Sequence, residues 1–447
     1  MGIDATLGPD GWEVPDIVSR GGSDSGGLAN PVKLRSVLAT LAKASWRRVN
    51  IGFHGMSLIV GYGAEDGTPG NSLTNLRHYR QRSAAMVMGA RLNAALNGNA
   101  QNYGRGVNTV AVTADGVVSG FFSLSGATLG GQYGAAGPDG RIVALPGSAS
   151  ANSLSFVVQD APAGTVVRVY GLFTGVAPTG QYALSGNNTQ ARTDVATAAT
   201  TAAPLPQGNA WWYEYNITLP NASDSSTGTT VTLYGSNAAT GSISVYAVDF
   251  DHKTTPGITV HRLACSGRNL IQVAAGALDN TDSVSGMTSW TGSGNANKRS
   301  GVMDSLTTRL ALDVALCSFD VNDIMAHSTR TLADWKRHIA NYLAAMSTRS
   351  IPVIFVLGTL RDPSLYAGAA YTQDELIAAY KAAADASSTA SYIDLTDEYT
   401  GSVTTRHAAQ ITDASMFVSD LLHWSSSGHA YYGSRIAQAL LSAANLG

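Results

Sequence analysis

Charged residues, cysteines and long apolar runs are all scarce in this chain of 447 residues. Asp, Glu, Lys and Arg together make up 13% of it, the formal net charge is -3, and there are two cysteines. Without a block of Lys and Arg the sequence has no electrostatic footprint for nucleic acid, and no apolar run is long enough to cross a bilayer. We therefore expect neither a nucleic-acid partner nor a membrane span.

Two further absences concern the cellular compartment. The amino-terminal stretch has no basic segment followed by a hydrophobic one, so no secretory signal peptide is visible. The two cysteines, Cys265 and Cys317, lie in apolar contexts that favour free core thiols over a single disulfide. The cysteine content therefore leaves the compartment open.

Strands and helices alternate in two separate parts of the chain, and apolar residues make up 44% of the whole. Residues 49–53 have the pattern of a buried strand, and residues 72–96 that of an amphipathic helix. The same alternation resumes after residue 253 and ends in an amphipathic helix over 427–444. Strands alternating with helices predict a parallel sheet whose functional groups lie at the carboxyl ends of its strands.

The middle of the chain interrupts this alternation. Short β-rich runs separated by Gly, Pro, Asn and Ser turns predict an antiparallel sandwich or jelly roll there. The aromatic residues Trp211, Trp212, Tyr213 and Tyr215 could line a sugar-stacking surface or fill the core of this domain. The predicted organisation is an amino-terminal arm with a short helix (1–48), the first part of an α/β domain (49–100), an inserted β-sandwich resembling carbohydrate-binding domains (101–252) and the second part of the α/β domain (253–447).

Polar residues suited to ester hydrolysis follow the predicted strands. Ser57 comes after the first strand, and Asp420 and His423 precede the last helix. A serine hydroxyl becomes a good nucleophile when an imidazole takes its proton and a carboxylate orients that imidazole. Backbone N–H groups and an Asn amide can bind the oxyanion that develops, and Gly267 and Asn322 are placed for that role.

These residues stand in motifs that resemble those of the SGNH hydrolases, also called the GDSL esterases and lipases. The first block of that family is similar to GMSL from residue 55, its second-block glycine to the glycine of CSGRN, and its third and fifth blocks to DVND from 320 and DLLH from 420. The resemblance implies that Ser57 is the nucleophile, His423 the general base and Asp420 its orienting carboxylate. It also implies an oxyanion hole made by the N–H groups of Ser57 and Gly267 and the amide of Asn322.

The sequence departs from the family pattern at three positions. Met56 replaces the Asp of the first block, Asp320 replaces the Gly of the third, and Trp424 follows the histidine where the family often has Pro. None of these changes removes a group that makes or breaks a bond, but the loss of a carboxylate at 56 puts the reaction rate in doubt. His54, just before the nucleophile turn, is either a residue of the wall or a substrate contact.

The resemblance implies a three-layer α/β/α, flavodoxin-like sandwich with an inserted all-β jelly roll. It implies a serine esterase acting on carboxylic esters, such as O-acetyl or acyl esters of a cell-envelope polysaccharide or lipid, without a cofactor or a metal. Two alternatives stay open. One is a receptor-binding component of a phage tail that keeps the fold but has little or no turnover, and the other is a carbohydrate or lipid esterase secreted by a bacterium.

The amino-terminal arm, the neutral surface rich in Ala, Thr, Gly and Ser, and the inserted β domain are together similar to tail proteins of bacteriophages that infect actinobacteria. Some of those tail proteins carry SGNH domains. This resemblance implies a location in the virion tail or outside the cell, and other virion tail proteins as partners.

Overall fold

The structure is a computed structural model that describes residues 35–445 with interruptions. The gaps are 46, 62–63, 65–82, 98–105, 110–121, 131–141, 147–151, 160, 175–178, 197, 200–209, 225, 236–241, 252–255, 265–268 and 271–309. Residues 1–34 of the predicted amino-terminal arm lie outside the described part of the chain. Cys265 and Gly267, which follow β14, also lie outside it.

The described strands and helices are numbered in chain order. The strands are β1 (Arg48–Gly55), β2 (Gly106–Thr109), β3 (Ser123–Ser125), β4 (Thr128–Gly130), β5 (Ile142–Pro146), β6 (Ser153–Val158), β7 (Val166–Thr174), β8 (Thr179–Gly186), β9 (Gln190–Ala196), β10 (Ala198–Ala199), β11 (Ala210–Thr218), β12 (Thr229–Tyr234), β13 (Ser242–Asp251), β14 (Gly257–Ala264), β15 (Val314–Ser318), β16 (Val353–Leu357) and β17 (Ala390–Asp394). The helices are α1 (Arg35–Ala42), α2 (Ser57–Val60), α3 (Ala84–Asn97), α4 (Asp320–Asp323), α5 (Leu332–Thr348), α6 (Gln373–Ala386), α7 (Val403–Gln410) and α8 (Ser426–Asn445).

The chain divides into two compact units. The first contains Met1–Asn102, Pro256–Leu278 and Thr307–Gly447, and the second contains Tyr103–Thr255 and Asp279–Leu306. We call them the α/β unit and the β unit. The first and last described strands of the β unit, β2 and β13, pair with each other, with Gly106 opposite Phe250.

The α/β unit is built on a five-stranded parallel sheet in the order β14–β1–β15–β16–β17. Its strands β14, β15 and β16 are buried at every position. Parallel strands whose two faces are both covered by helices have such near-continuous apolar sequences, as VALCS and VIFVL do here. The carboxyl ends of β14, β1 and β15 meet at one edge, because Gly55 lies opposite both Ala264 and Ser318.

Local sequence signals fix the helices that pack on this sheet. At α5 the Thr331 side chain accepts from the Asp334 N–H while the Asp334 carboxylate accepts from the Thr331 N–H, and Thr372 and Glu375 form the same capping box at α6. Gly433 of α8 lets α3 approach closely, since a Cβ there would lie 2.5 Å from the carbonyl oxygen of Ala84.

The β unit is an antiparallel sandwich. One sheet has the order β10–β11–β7–β13–β5–β4, with β2 also paired to β13, and the other has the order β3–β6–β12–β8–β9. Side chains that alternate along the strands form a shared core between the sheets, including Phe156, Val231 and Leu233. Tyr213 and Tyr215 also belong to this core, so these two aromatic residues do not form a sugar-stacking surface.

The predicted fold class, a parallel α/β sheet with an inserted all-β domain, is confirmed. The helix predicted over 72–96 is described from Ala84 and ends at Asn97, and the helix predicted over 427–444 is α8. Among the described residues, no helix has the length and apolar content that crossing a membrane requires.

Candidate active site

The nucleophile turn joins β1 to α2. Ser57 is the first residue of α2, and the preceding Met56 has an extended backbone, with φ -118°. The turn is so tight that a Cβ on Gly55 would lie 2.4 Å from Cγ1 of Ile59. Glycine at 55 is therefore required for α2 to fold back over the end of β1, and this places Ser57 at the carboxyl edge of the sheet.

The side chains of Ser57, His423 and Asp420 form one hydrogen-bonded path. Nδ1 of His423 lies 2.6 Å from Oδ2 of Asp420, and Nε2 lies 2.8 Å from Oγ of Ser57. Because an ionised carboxylate only accepts hydrogen bonds, Nδ1 carries the ring proton and Nε2 accepts from the serine hydroxyl. The structure thus brings together three side chains that are up to 366 residues apart in sequence.

A short loop between Phe417 and Trp424 holds the imidazole and the carboxylate. Phe417 and Trp424 form an antiparallel bridge, and the Val418 N–H donates to the His423 carbonyl. Trp424 is fully buried and stacks on Tyr432, with ring centroids 4.5 Å apart. Tryptophan, at the position where the SGNH motif often has proline, therefore anchors the loop to α8. Leu421 lies between Asp420 and His423 with φ +53°, a left-handed conformation that non-glycine residues rarely adopt.

Asp420 is held in its ionised form. Partial burial disfavours its charge, but hydrogen bonds from the His423 ring and from the N–H groups of His423 and Leu422 outweigh burial and lower the pKa of Asp420 to about 2. Its Oδ1 accepts both backbone N–H groups, each at 2.9 Å, while Oδ2 faces the imidazole. The carboxylate is thus oriented as well as charged.

The third element of the site is α4, which follows β15. Asn322 lies within it and is partly exposed. The neighbouring Asp323 is fully buried, and its carboxylate accepts from the Leu270 N–H at 2.8 Å and from the Tyr380 hydroxyl at 2.5 Å. Asp323 therefore ties α4 to the chain segment that follows β14. The other predicted oxyanion donor on that segment, Gly267, lies outside the described residues.

The two remaining departures from the family pattern are both buried. Met56 is fully buried, so it packs in the core where the family has a carboxylate. The Asp320 carboxylate is 1% exposed, and its Oδ2 accepts from the Gly358 N–H at 3.0 Å. Burial raises the pKa of Asp320 to about 7, although the hydrogen bonds from Gly358 and Gln373 oppose the rise.

Arg361 borders the site, and no sequence motif predicted its presence there. It follows β16, the strand next to β15, and its Nη1 donates to Oδ1 of Asn322 at 3.5 Å. Desolvation lowers the pKa of Arg361, and the negative charge of Asp420 partly offsets this. The available sequence signal was its position: a basic residue just past a strand that ends at the functional edge of the sheet.

His54 does not join the site. It is fully buried in β1, its Nδ1 lies 2.6 Å from the Tyr342 hydroxyl, and burial lowers its pKa to about 3. It is therefore a neutral core residue, as the wall interpretation predicts. Cys317 is a free, buried thiol in β15. Within the part of the chain that the structure describes, no three His, Cys, Asp or Glu side chains are grouped to hold a metal ion.

A serine hydroxyl donating to an imidazole that donates to a carboxylate is the arrangement used in nucleophilic acyl transfer. The serine also lies at the first turn of a helix, where the backbone N–H groups have no acceptor within the helix and can bind an oxyanion. The site is therefore chemically able to form and release an acyl-serine.

No family model and no curated protein matches the sequence. Among solved structures, the chain is similar to a peptidoglycan O-acetylesterase, with 12% identity over 94% of this chain and 97% of that one, and a TM-score of 0.58. At this identity the likeness shows a common fold, and it extends over almost the whole of both chains.

Smaller structures also match. A lipase/acylhydrolase from Enterococcus faecalis is 12% identical over 40% of this chain and 74% of its own, with a TM-score of 0.28. A family 35 carbohydrate binding module from Clostridium thermocellum is 16% identical over 32% of this chain and 97% of its own, with a TM-score of 0.22. Scores at this level carry no argument about function.

Proposed function

We propose that this protein is a serine esterase that hydrolyses carboxylic esters of a cell-envelope polysaccharide or lipid. The observation that carries the proposal is the continuous hydrogen-bonded path from Ser57 Oγ through the His423 ring to the Asp420 carboxylate. The motif order in the sequence and the fold shared with a peptidoglycan O-acetylesterase support it.

In the proposed reaction, Ser57 Oγ attacks the ester carbonyl carbon while Nε2 of His423 takes the hydroxyl proton. Asp420 keeps the ring in the tautomer with its proton on Nδ1 and stabilises the imidazolium that forms. The imidazolium then gives its proton to the departing alcohol, leaving an acyl-serine. A water molecule, deprotonated by the same imidazole, attacks the acyl carbon; the bond from that carbon to Ser57 Oγ then breaks, the imidazolium returns the proton to Oγ, and the carboxylic acid is released.

The negative charge on the carbonyl oxygen requires donors that are already in place. We assign this role to the Ser57 N–H, the Asn322 amide and the Gly267 N–H. Asn322 supports the assignment because its amide oxygen accepts from Arg361, so the amide NH2 faces away from that cation. Removing one such donor typically lowers kcat by about 10²–10³-fold in serine hydrolases.

The proposed substrate class rests on two observations. The fold is shared, over nearly the full length, with an esterase that removes O-acetyl groups from peptidoglycan. The β unit is an antiparallel sandwich, an architecture that carbohydrate-binding modules also have. An O-acetyl ester of an envelope polysaccharide fits both observations, and an acyl ester of an envelope lipid remains within the proposed class.

The test measures turnover of p-nitrophenyl acetate and of a longer-chain homologue by the wild type, Ser57→Ala and Asp420→Asn. We expect Ser57→Ala to abolish hydrolysis, and Asp420→Asn to lower kcat by about 10³–10⁴-fold, because the amide favours the wrong imidazole tautomer. Ser328→Ala, an exposed residue of a turn, is the matched control. Release of acetate from an O-acetylated polysaccharide then tests the substrate class.

If the wild type and both variants are equally inert and remain folded, the esterase proposal fails. Labelling by a fluorophosphonate probe would separate a slow esterase from an inactive one, since only an activated Ser57 reacts. An unlabelled, folded protein would favour the alternative, a binding component that keeps the fold. The predicted link to phage tails and the predicted location remain predictions, and co-purification with virions would test both.

A further inference from the structure

Side chains from three distant places hold the loop from Gly358 to Arg361, here called the clamped loop. The side chains of Gln373 and Gln410 are buried, and each accepts from one backbone N–H of the loop and donates to one backbone carbonyl. The five bonds run from Gly358 N to Asp320 Oδ2, from Leu360 N to Gln410 Oε1, from Arg361 N to Gln373 Oε1, from Gln373 Nε2 to the Thr359 oxygen, and from Gln410 Nε2 to the Gly358 oxygen.

The clamped loop ends in a cation at the border of the candidate site. The Arg361 backbone N–H is held by Gln373, its guanidinium donates to Asn322, and the charge of Asp420 raises the pKa of Arg361 against the effect of desolvation. Both oxygens of Asp420 are already engaged by His423 and by backbone N–H groups. No ion pair joins Arg361 to Asp420 in the described part of the chain.

The guanidinium has more donors than acceptors around it. Arginine offers five N–H donors in a planar fork, and the described residues supply one acceptor, Asn322 Oδ1, at the long distance of 3.5 Å. Its Nε is buried and has no hydrogen-bond partner in the described part of the chain. That atom is closed to a ligand, but a carboxylate or phosphate that binds the terminal Nη1 and Nη2 atoms with two oxygens would supply acceptors for their N–H donors.

We infer that Arg361 forms an anion-binding subsite beside the candidate oxyanion hole and selects esters that carry a carboxylate or phosphate near the scissile bond. This inference rests on the proposed esterase function and narrows its substrate class. The clamped loop supports it, because five hydrogen bonds hold the backbone that carries Arg361, so little backbone freedom is left to lose on binding.

The experiment compares aryl acetates whose para substituent is either anionic or neutral. We would measure kcat/KM for 4-acetoxybenzoate and 4-acetoxyphenyl phosphate, each relative to the neutral methyl 4-acetoxybenzoate. In Arg361→Gln we expect these anionic-to-neutral ratios to fall at least tenfold, while Arg361→Lys keeps part of the preference because it keeps the charge. The two anions distinguish carboxylate from phosphate as the preferred group.

Arg337→Gln is the matched control, because Arg337 is a surface arginine of α5 outside the site, and its ratios should equal those of the wild type. Ratios that are the same in Arg361→Gln and in the wild type would overturn the subsite. An equal loss with all three esters would also overturn it, since Arg361 would then act only by positioning Asn322.

A second measurement separates this inference from the proposed function. Titration calorimetry of 4-acetoxybenzoate into Ser57→Ala, with and without Arg361→Gln, reports binding without turnover. Binding that weakens at least tenfold on the loss of Arg361 supports the subsite even if the wild type hydrolyses none of the esters. Hydrolysis of the neutral ester with no such loss of binding would support the esterase and contradict the subsite.

Discussion

Asp320 is a carboxyl group buried where the SGNH family has a glycine, and it affects stability more directly than chemistry. Its Oδ2 accepts from the Gly358 N–H, while Oδ1 is buried without a hydrogen-bond partner in the described residues. Burial is the largest effect and, together with the charge of Asp394, raises the pKa of Asp320 to about 7 against the opposing hydrogen bonds from Gly358 and Gln373. The native state therefore keeps a proton on this group over a pH range in which the unfolded chain loses it.

The sign of the pH dependence follows from this raised pKa. Between about pH 4, where an ordinary Asp ionises, and pH 7, the native state binds the extra proton, so the free energy of unfolding falls as pH rises. We expect Asp320→Asn to remove this fall. From pH 5 to pH 8 the free energy of unfolding of the variant should therefore rise relative to that of the wild type by a few kcal/mol, on the order of 1.4 kcal/mol per pKa unit. Urea denaturation of both proteins at the two pH values measures it.

Asp362→Asn provides the comparison, because Asp362 is an exposed carboxylate near the same loop. This variant should not gain stability relative to the wild type as pH rises from 5 to 8. A stability difference between Asp320→Asn and the wild type that is the same at both pH values would show that Asp320 ionises normally in the folded protein.

At this scale the sequence predicted the residues that belong to short motifs, and the structure brings Ser57, Asp420 and His423 into contact. It did not predict Arg361. No local pattern marks that residue, because its role depends on Asn322, which lies 39 residues away in the sequence. The environment of Asp320 was equally hidden, since the groups that bury and bond it come from strands and helices later in the chain.

Among the elements, the clamped loop shows how much an irregular segment can depend on single side chains. Gln410, the last residue of α7, donates to the Gly358 carbonyl at 2.9 Å and accepts from the Leu360 N–H at 2.9 Å. A buried backbone group that loses its partner costs about 1–3 kcal/mol. One glutamine therefore supports two such groups.

We expect Gln410→Met, which keeps the size of the side chain but removes both hydrogen bonds, to lower the free energy of unfolding by about 2–5 kcal/mol. Thermal denaturation measures the loss. Thr404→Met, on the exposed part of the same helix, should change stability by less than about 0.5 kcal/mol. Similar values for the two variants would mean that the loop keeps its conformation without the clamp.

Helices with local signals were the most predictable elements. The start of α6 at Gln373 follows from a local signal, because Thr372 and Glu375 form a capping box that is visible in the sequence. The clamped loop could not be predicted in this way. Its partners lie 12 to 52 residues away, and only the folded chain brings them together.

Within the described part of the chain, each of the two units has its own buried apolar residues. Leu233 is fully buried in the core of the β unit, and Leu316 is fully buried in β15 of the α/β unit. Replacing a buried leucine by alanine costs about 2–5 kcal/mol. Because each core is formed by residues of its own unit, each substitution should weaken mainly that unit.

We therefore expect chemical denaturation to proceed in two steps, with Leu316→Ala moving the step at which the proposed esterase activity is lost and Leu233→Ala moving the other. Tryptophan fluorescence and turnover of p-nitrophenyl acetate, followed on the same samples, separate the two steps. A single transition that both substitutions shift equally would show that the units unfold as one cooperative body.

The overall architecture was the easiest level to predict. A change from helical to two-residue periodicity and back indicates an inserted all-β domain without reference to any single contact. Strand order was not predictable, because in the parallel sheet β1 pairs with β14 and β15 rather than with a strand close to it in sequence.

The pairing of β2 with β13 has a consequence for the order of folding. Strands β1 and β14 are neighbours in the sheet but lie about 200 residues apart in the chain, so their pairing closes a very long loop. When β2 and β13 have already paired, the ends of the insertion are held about 5 Å apart, and the effective loop shrinks to about 55 residues. That reduction lowers the entropic cost of closure by about 1 kcal/mol. A nascent chain that folds its insertion first therefore closes a shorter loop when β1 and β14 pair in the parallel sheet.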